Sequence, residues 1–249
     1  MRIKEIYDFL NEKFPVETAC GFDNVGLLIG NKNRSVTKVL VALDCTLNVV
    51  DEAIKIGAEL IVTHHPVIFE PLKKIDCDGK IGKLLENKIS VISMHTNLDQ
   101  GQNGVNDCLC EKIGLKNAET LVASDGYLLK IGKLECEKNA EELAKEFKTL
   151  LGGGVRFVDN GKPIKTLAVC SGSGGSFLED VISSAADAFL TADVKHSVFL
   201  EAHEKGIALF DAGHFETEDV VTEPLCQMLK ENFKNVEFFT NHYFPVKEI

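Results

Sequence analysis

The feature that most constrains this chain is a strand–helix–strand–helix–strand pattern that occurs twice. KVLVALDCT, beginning at Lys38, is followed by the helical stretch LNVVDEAIKIG, then LIVTHH, a second helical stretch and VISMHT. KTLAVCSGS, beginning at Lys165, is followed by FLEDVISSAA, then AFLTAD, another helical stretch and ALFDAGH. Short apolar strands alternating with amphipathic helices predict α/β layers with largely parallel pairing and right-handed crossovers. The echo predicts two similar three-layer α/β domains. The break is placed in VASDG near residues 122–126. The last helix and the closing strand NVEFFT are expected to pack back on the first half. The expected division is therefore 1–125 plus 214–249 for the first domain and 126–213 for the second.

Local signals agree with this frame. Ile3, Ile6, Leu10 and Phe14 recur at helical spacing and stop at Pro15. Thr46 is a natural N-cap for the next helix, and Gly57 stands past its end. Leu143, Ala144, Phe147 and Leu150 share one helix face before the glycines at 152–154.

Composition removes several functions. The chain of 249 residues carries 27 basic and 38 acidic residues, a net charge of −11. That sign repels phosphate backbones at long range and argues against general nucleic-acid binding. It leaves room for a local anion or metal site. No stretch approaches the roughly 20 apolar residues of a membrane span, and the charged N-terminus does not resemble a signal peptide. A cytoplasmic protein is expected. The eight cysteines include no CxxC pair, and several lie in apolar runs where reduced, buried thiols are the rule.

The residues that suggest chemistry all follow apolar strands. Thr63-His64-His65-Pro66 ends the LIV strand, and His95-Thr96-Asn97-Leu98-Asp99 ends VISM. His214 follows IALFDAG, with Glu218 four residues on, one helical turn away. Ligands of open parallel sheets gather beyond the carboxyl ends of the strands. Adjacent histidines point to opposite faces of a strand, so a shared site requires the chain to leave the sheet at His64, and Pro66 fits such a break. Three imidazoles and two carboxylates form a mixed nitrogen/oxygen set suited to zinc, iron, manganese or nickel. Five ligands exceed the needs of one structural zinc ion, and a pair of ions about 3.5–4 Å apart is the natural reading. Taken singly, each histidine also reads as an ordinary strand-end side chain.

Together, IVTHHPVIF, MHTNLDQGQNGVND and DAGHFETE resemble the three signature segments of the Nif-three-like dinuclear-metal family, whose members are often called GTP cyclohydrolase I type 2 homologues. DNVGLLIG, LDCT and VCSGSGGSF are similar to its other motifs. The chain has no room for the domain that larger members insert between the halves, and so resembles the short form. The resemblance implies two related α/β domains with the metal site in the cleft between them, and a ring-shaped homohexamer. Carried over by motif, the metal ligands are His64, His65, Asp99, His214 and Glu218, holding two divalent ions. His95 lies beside the centre as a supporting group or proton carrier.

LTADVKH departs from the family's usual TG(E/D)xxH, with Ala192 in place of the glycine while Asp193 and His196 remain. That raises the question of how the backbone passes there. Asp193 reads equally as a proton carrier and as a helix-start acid favoured by the dipole. His196 reads equally as a site residue and as an exposed helical side chain. SGSGGSF (171–177) is either a tight strand-to-helix turn or an anion cradle, and it lacks the P-loop's GK(S/T). Arg156 is a surface side chain or an anion contact.

The resulting expectation is a metal-dependent hydrolase acting on a small molecule, with a nucleotide as the leading candidate. The resemblance implies opening of the guanine imidazole ring of GTP with loss of formate, His95 or Asp193 moving protons. The alternatives are another phosphoester or amide hydrolase and a non-enzymatic hexameric scaffold or regulator.

Overall fold

The computed structural model describes residues 1–247. Strands are numbered here in chain order. Two compact units form, one from Met1–Gln102 with Thr222–Pro245, the other built on Asn103–Val221. Helices and strands alternate, and each unit carries its own sheet.

The first sheet contains β1 (Gly26–Ile29), β2 (Lys38–Ala42), β3 (Leu60–Thr63), β4 (Ser90–Ser93) and β11 (Glu237–Asn241), in the order β1-β4-β3-β2-β11. All its pairs are parallel except β1–β4. Every residue of β3 and β4 is buried, which is why both read as unbroken apolar runs rather than alternating ones. Leu40, Ala42, Ile61 and Val91 face Val49, Val50, Ala53 and Leu84 of the two crossover helices. The alternate residues Val39, Val41, Leu60, Val62 and Ile92 are buried too, so both faces are covered. The first crossover helix, Leu47–Ile56, begins where the Thr46 side chain accepts a hydrogen bond from the Val49 amide at 3.3 Å. It ends at left-handed Gly57.

Register sets up the chemistry. Ala42 pairs with Thr63, and Thr63 with Ser93, so three parallel strands end level with one another. Asp44, the His64–His65 pair and His95 are the first polar residues past those ends.

The second sheet holds β5 (Lys116–Val122), β6 (Leu128–Lys138), β7 (Arg156–Val158), β8 (Ile164–Val169), β9 (Ala188–Thr191) and β10 (Ala208–Asp211), in the order β5-β6-β8-β9-β10-β7. Its parallel core β8-β9-β10 is flanked by antiparallel strands on both sides. Leu167, Val169, Leu190 and Phe210 pack against Leu143 and Phe147 on one face. Ala168, Phe189 and Leu209 pack against Leu178, Val181 and Ala202 on the other. Helices thus cover both faces of the sheet, with alternate residues serving each side.

The unit limits differ from the sequence expectation of a second domain at 126–213. Helix Val105–Lys112 buries Leu109 and Cys110 in the core of the second unit, and β5 pairs with β6, so that unit starts at residue 103. It also keeps helix His214–Glu218, which the sequence reading gave to the first domain. The reason is a polar tie: the Thr217 hydroxyl accepts from the Gly172 amide at 3.1 Å. The chain then returns, and β11 runs parallel to β2.

Candidate metal centre

In the first unit, β3 ends at Thr63 because its hydroxyl donates to the His65 carbonyl at 2.8 Å and turns the chain out of the sheet. That break lets two adjacent imidazoles lie on one side, with ring centroids 4.9 Å apart. His64 is fully buried, and its Nδ1 lies 2.9 Å from the Met94 carbonyl. A carbonyl only accepts, so Nδ1 carries the hydrogen and Nε2 keeps its lone pair. His65 Nδ1 meets the Asp44 carboxylate at 2.8 Å. His95 Nδ1 meets Asp23 at 2.9 Å. Each of the three histidines is thus oriented through Nδ1, an arrangement that fixes ring direction and tautomer in metal sites.

One donor atom from each of His64, His65 and His95 lies within 4.8 Å of the others, close enough to hold a metal ion. The buried Asp99 adds a carboxylate oxygen 3.4 Å from His64 Nε2. Asp23 accepts from the Thr96 amide at 3.0 Å and the Thr96 hydroxyl at 2.6 Å. Burial pushes its carboxyl up and is the largest single influence. The hydrogen bonds from His95 and Thr96 together outweigh it and hold Asp23 down to about 2.

The second unit presents a smaller set. His214 and Glu218 face each other across one turn, Nε2 to Oε2 at 3.0 Å. His214 Nδ1 meets Asp193 Oδ2 at 2.7 Å. Asp193 therefore orients His214 as Asp44 orients His65. Asp193 sits in the left-handed region with φ +51°, a conformation non-glycine residues adopt only where the surroundings impose it. This answers the question raised by Ala192. The strained residue is Asp193, while Ala192 is buried and donates its amide to the Gly172 carbonyl at 2.8 Å. Alanine in place of glycine therefore carries no backbone cost.

What imposes the strain is Asp211, at the end of β10. Its carboxylate accepts from the Val194 amide at 3.0 Å and the Gly213 amide at 3.2 Å, and from the Arg156 guanidinium. Sheet register makes this possible, because Asp211 stands opposite Arg156 on β7 and Thr191 on β9. One buried carboxylate thus ties the residue after Asp193 to the residue before His214. Arg156 is a surface side chain, and its ion pair with Asp211 makes it one strut of this tie.

The glycine-rich loop makes a tight turn with three of its amides spent inside the protein. The amides of Ser171, Gly172 and Gly174 donate to Asn106, Thr217 and Thr191 at 2.8, 3.1 and 2.9 Å. Gly172 has φ +58°, and a Cβ there would lie 2.0 Å from Glu218 Oε1 and 3.3 Å from His214 Cε1. The loop must be bare at that point for the carboxylate to occupy its place. His196 is exposed at the start of its helix, and among the described residues it joins no donor group.

Asp23, Asp44 and Asp211 are supporting carboxylates of the donor groups that residue patterns alone did not single out. Each is an acid at the edge of an apolar run, and no local signal separates it from a solvated carboxylate.

Comparison with known proteins decides the family. The model of the Duf34/NIF3 (NGG1p interacting factor 3) family matches residues 1–245. The chain belongs to the Duf34/NIF3 family. A Clostridium perfringens relative named GTP cyclohydrolase 1 type 2 homolog is 34% identical, covering 97% of this chain and 96% of that protein. The crystal structure of a Staphylococcus aureus hypothetical protein superposes with a TM-score of 0.93 at 30% identity, covering 100% of this chain and 99% of the other. Reduced HcgD from Methanocaldococcus jannaschii gives 0.84 at 32% identity, with 96% and 97% covered. The NIF3 fold is thus shared along the whole chain. Among the described residues no helix is long and apolar enough to cross a membrane.

Proposed function

We propose that this NIF3 protein is a metal-dependent hydrolase in which His64, His65, Asp99, His214 and Glu218 together hold two divalent ions. The observation that carries the reading is the state of the imidazoles. His64, His65, His95 and His214 all have Nδ1 engaged, by a backbone carbonyl or by Asp44, Asp23 and Asp193. In all four rings Nε2 is therefore the nitrogen turned away from that support, facing Asp99 at 3.4 Å in His64 and Glu218 at 3.0 Å in His214, an order that four unrelated strand-end histidines have no reason to share. The nitrogen and carboxylate donors fit first-row ions such as zinc, iron, manganese or nickel. Bound there, such ions would supply Lewis acidity and lower the pKa of water toward neutrality.

The chain's own residues do the rest. Asp44 and Asp193 hold His65 and His214 in the ligating tautomer. His95, anchored through Nδ1 by Asp23, presents Nε2 as the atom that takes and returns a proton. Asp193, given to proton transfer in the sequence reading, is better used as the orienting partner of His214.

The naming of the relatives supports a guanine nucleotide as substrate. One water would open the imidazole ring of GTP at C8, and a second would release C8 as formate. Metal-loaded protein is expected to produce formate from GTP. Its absence with zinc, iron, manganese and nickel alike removes this substrate, and a panel of phosphoesters and amides then defines the hydrolase. Should metal and nucleotide bind without turnover of any substrate, the regulatory reading takes its place. A cytoplasmic ring of six chains belongs to the same proposal, and sedimentation tests it as a mass of six 27.3-kDa subunits.

A further inference from the structure

Beside the histidine cluster of the first unit stand two phenylalanines that the fold leaves bare. Phe22 is 69% exposed and Phe69 46%. Their ring centroids are 6.4 Å apart and their planes tilt by 55°, forming an open wedge. Phe69 also meets the His95 ring edge-on, at 6.3 Å and 85°.

The wedge is held rather than loose. Asn24, two residues after Phe22, donates from Nδ2 to the Ile68 carbonyl, next to Phe69, at 2.7 Å. Asp23, between Phe22 and Asn24, binds His95 Nδ1 and the Thr96 amide and hydroxyl. The bonds that orient His95 therefore also fix both aromatic rings relative to it. Neither ring serves the apolar core, since both project into solvent. Exposed phenylalanines tethered at the edge of a polar donor cluster have a use when a ligand covers them.

We propose that Phe22 and Phe69 form a stacking site for a planar heteroaromatic ring of the purine type, placing that ring beside His95. This deepens the metal-dependent hydrolase reading and rests on it for the purpose of the site. The chemistry selects the occupant. Two tilted aromatic faces reward a flat ring that stacks on one and meets the edge of the other, an arrangement an aliphatic chain gains less from. Every purine or pyrimidine has a π-face, so the wedge grips the ring, while selection among bases falls to polar neighbours such as His95.

The test uses the full chain loaded with metal and 2-aminopurine riboside as a fluorescent probe. The protein contains no tryptophan and three tyrosines, so the probe is read without interference when excited to the red of tyrosine. Saturable quenching that guanosine reverses and ribose 5-phosphate does not is expected. Phe22→Ala and Phe69→Ala should each raise the Kd about 5- to 150-fold, the range for a lost base–aromatic stack. Phe22→Leu and Phe69→Leu, which keep apolar bulk without a π-face, should also weaken binding. Both side chains are exposed, so all four variants should keep the wild-type melting temperature and metal content.

The proposal is overturned if the wild type shows no saturable quenching, or if the leucine variants bind as tightly as phenylalanine. It is equally overturned if the alanine variants change the oligomeric state and leave purine affinity alone, since a second copy then covers the wedge. Elemental analysis of the same samples separates the two readings. Wild type that retains no metal sinks the hydrolase reading, whereas full metal content with unchanged purine affinity in the variants sinks only this one.

Discussion

Gly172 offers the sharpest test of the second donor set. Replacing it by alanine does two separable things. The first is backbone strain: at φ +58° an alanine pays about 1–2 kcal/mol for the left-handed region. The second is displacement, because the new methyl would sit 2.0 Å from Glu218 Oε1 and 3.0 Å from its Cδ. Ordinary contact requires well over 3 Å, so the carboxylate must retreat by more than an ångström from its place beside His214. Gly114 provides the control. It lies in the same unit at φ +71°, and a Cβ there meets nothing within 4 Å. Gly114→Ala and Gly172→Ala should therefore share the strain and lower the melting temperature of metal-free protein similarly, by about 2–8 °C at roughly 2–4 °C per kcal/mol. Only Gly172→Ala should impair metal binding. Disturbing the support of a metal ligand costs about 10–100-fold in affinity, and moving the ligand itself should cost at least that much. Calorimetric titration of metal-free protein with zinc or manganese measures it. If Gly172→Ala binds metal within twofold of wild type, Glu218 does not ligate from the position seen here.

Asp44→Asn should lower metal affinity about 10–100-fold with little change in stability, since the Asp44 side chain is 41% exposed and it orients His65 through Nδ1; unchanged titration curves would remove it as the orienting group. Asp211→Asn should weaken metal binding through His214 while Arg156 loses its ion pair; a purely structural role predicts a lower melting temperature and unaltered metal affinity. The folded-state carboxyl of Asp23 lies below the ordinary value near 3.9, so its contribution is complete above about pH 4 and disappears as pH falls through about 2. Acid unfolding should therefore be shallower in Asp23→Asn than in wild type, and parallel curves would refute the assignment. Burial pushes the Cys45 thiol up to about 11 and those of Cys108 and Cys110 up to about 12. Iodoacetamide at pH 8 should label exposed Cys77 and Cys136 and spare those three; mass spectrometry showing native Cys108 alkylation would contradict the buried, protonated state.

Much of the fold was legible because burial writes itself into composition. β3 and β4 are covered on both faces and so appear as the unbroken runs LIVT and SVIS, while Thr46 and Gly57 mark a helix by their capping chemistry. The edges were not legible. β5 is exposed along most of its length, and KNAETLV carries neither a continuous apolar run nor a clean alternation. Its pairing with β6 is decided by backbone hydrogen bonds that any sequence can make, and the unit boundary moved with it. The ligand candidates were legible because histidines after apolar strands are conspicuous. Their carboxylate partners were not, because an acid earns its role only through a neighbour that folding delivers: Asp23 reaches a histidine 72 positions away.

The repeat seen in the sequence also explains why the two donor sets differ. After its third parallel strand each unit places a histidine with an acid four residues later at a short helix: His95 just before Thr96–Asp99, and His214 as the first residue of His214–Glu218. After the second strand the units part. The first puts His64 and His65 there, and the second puts Ala192 and Asp193. After the first strand, Asp44 supports a histidine in one, while in the other the glycine loop clears space for Glu218. One pattern of strand ends, used twice, thus supplies a rich donor set and a sparse one. In the sparse unit the missing histidine position holds an aspartate bent into the left-handed region to steady His214. Such a division has a mechanical consequence. The sparse set has one imidazole and one carboxylate, too few to hold an ion by themselves, so Asp193 and Asp211 matter more to it than any single support does to the histidine-rich set. Loss of Asp193 should therefore cost more metal affinity than loss of Asp44, although both do the same thing to a histidine.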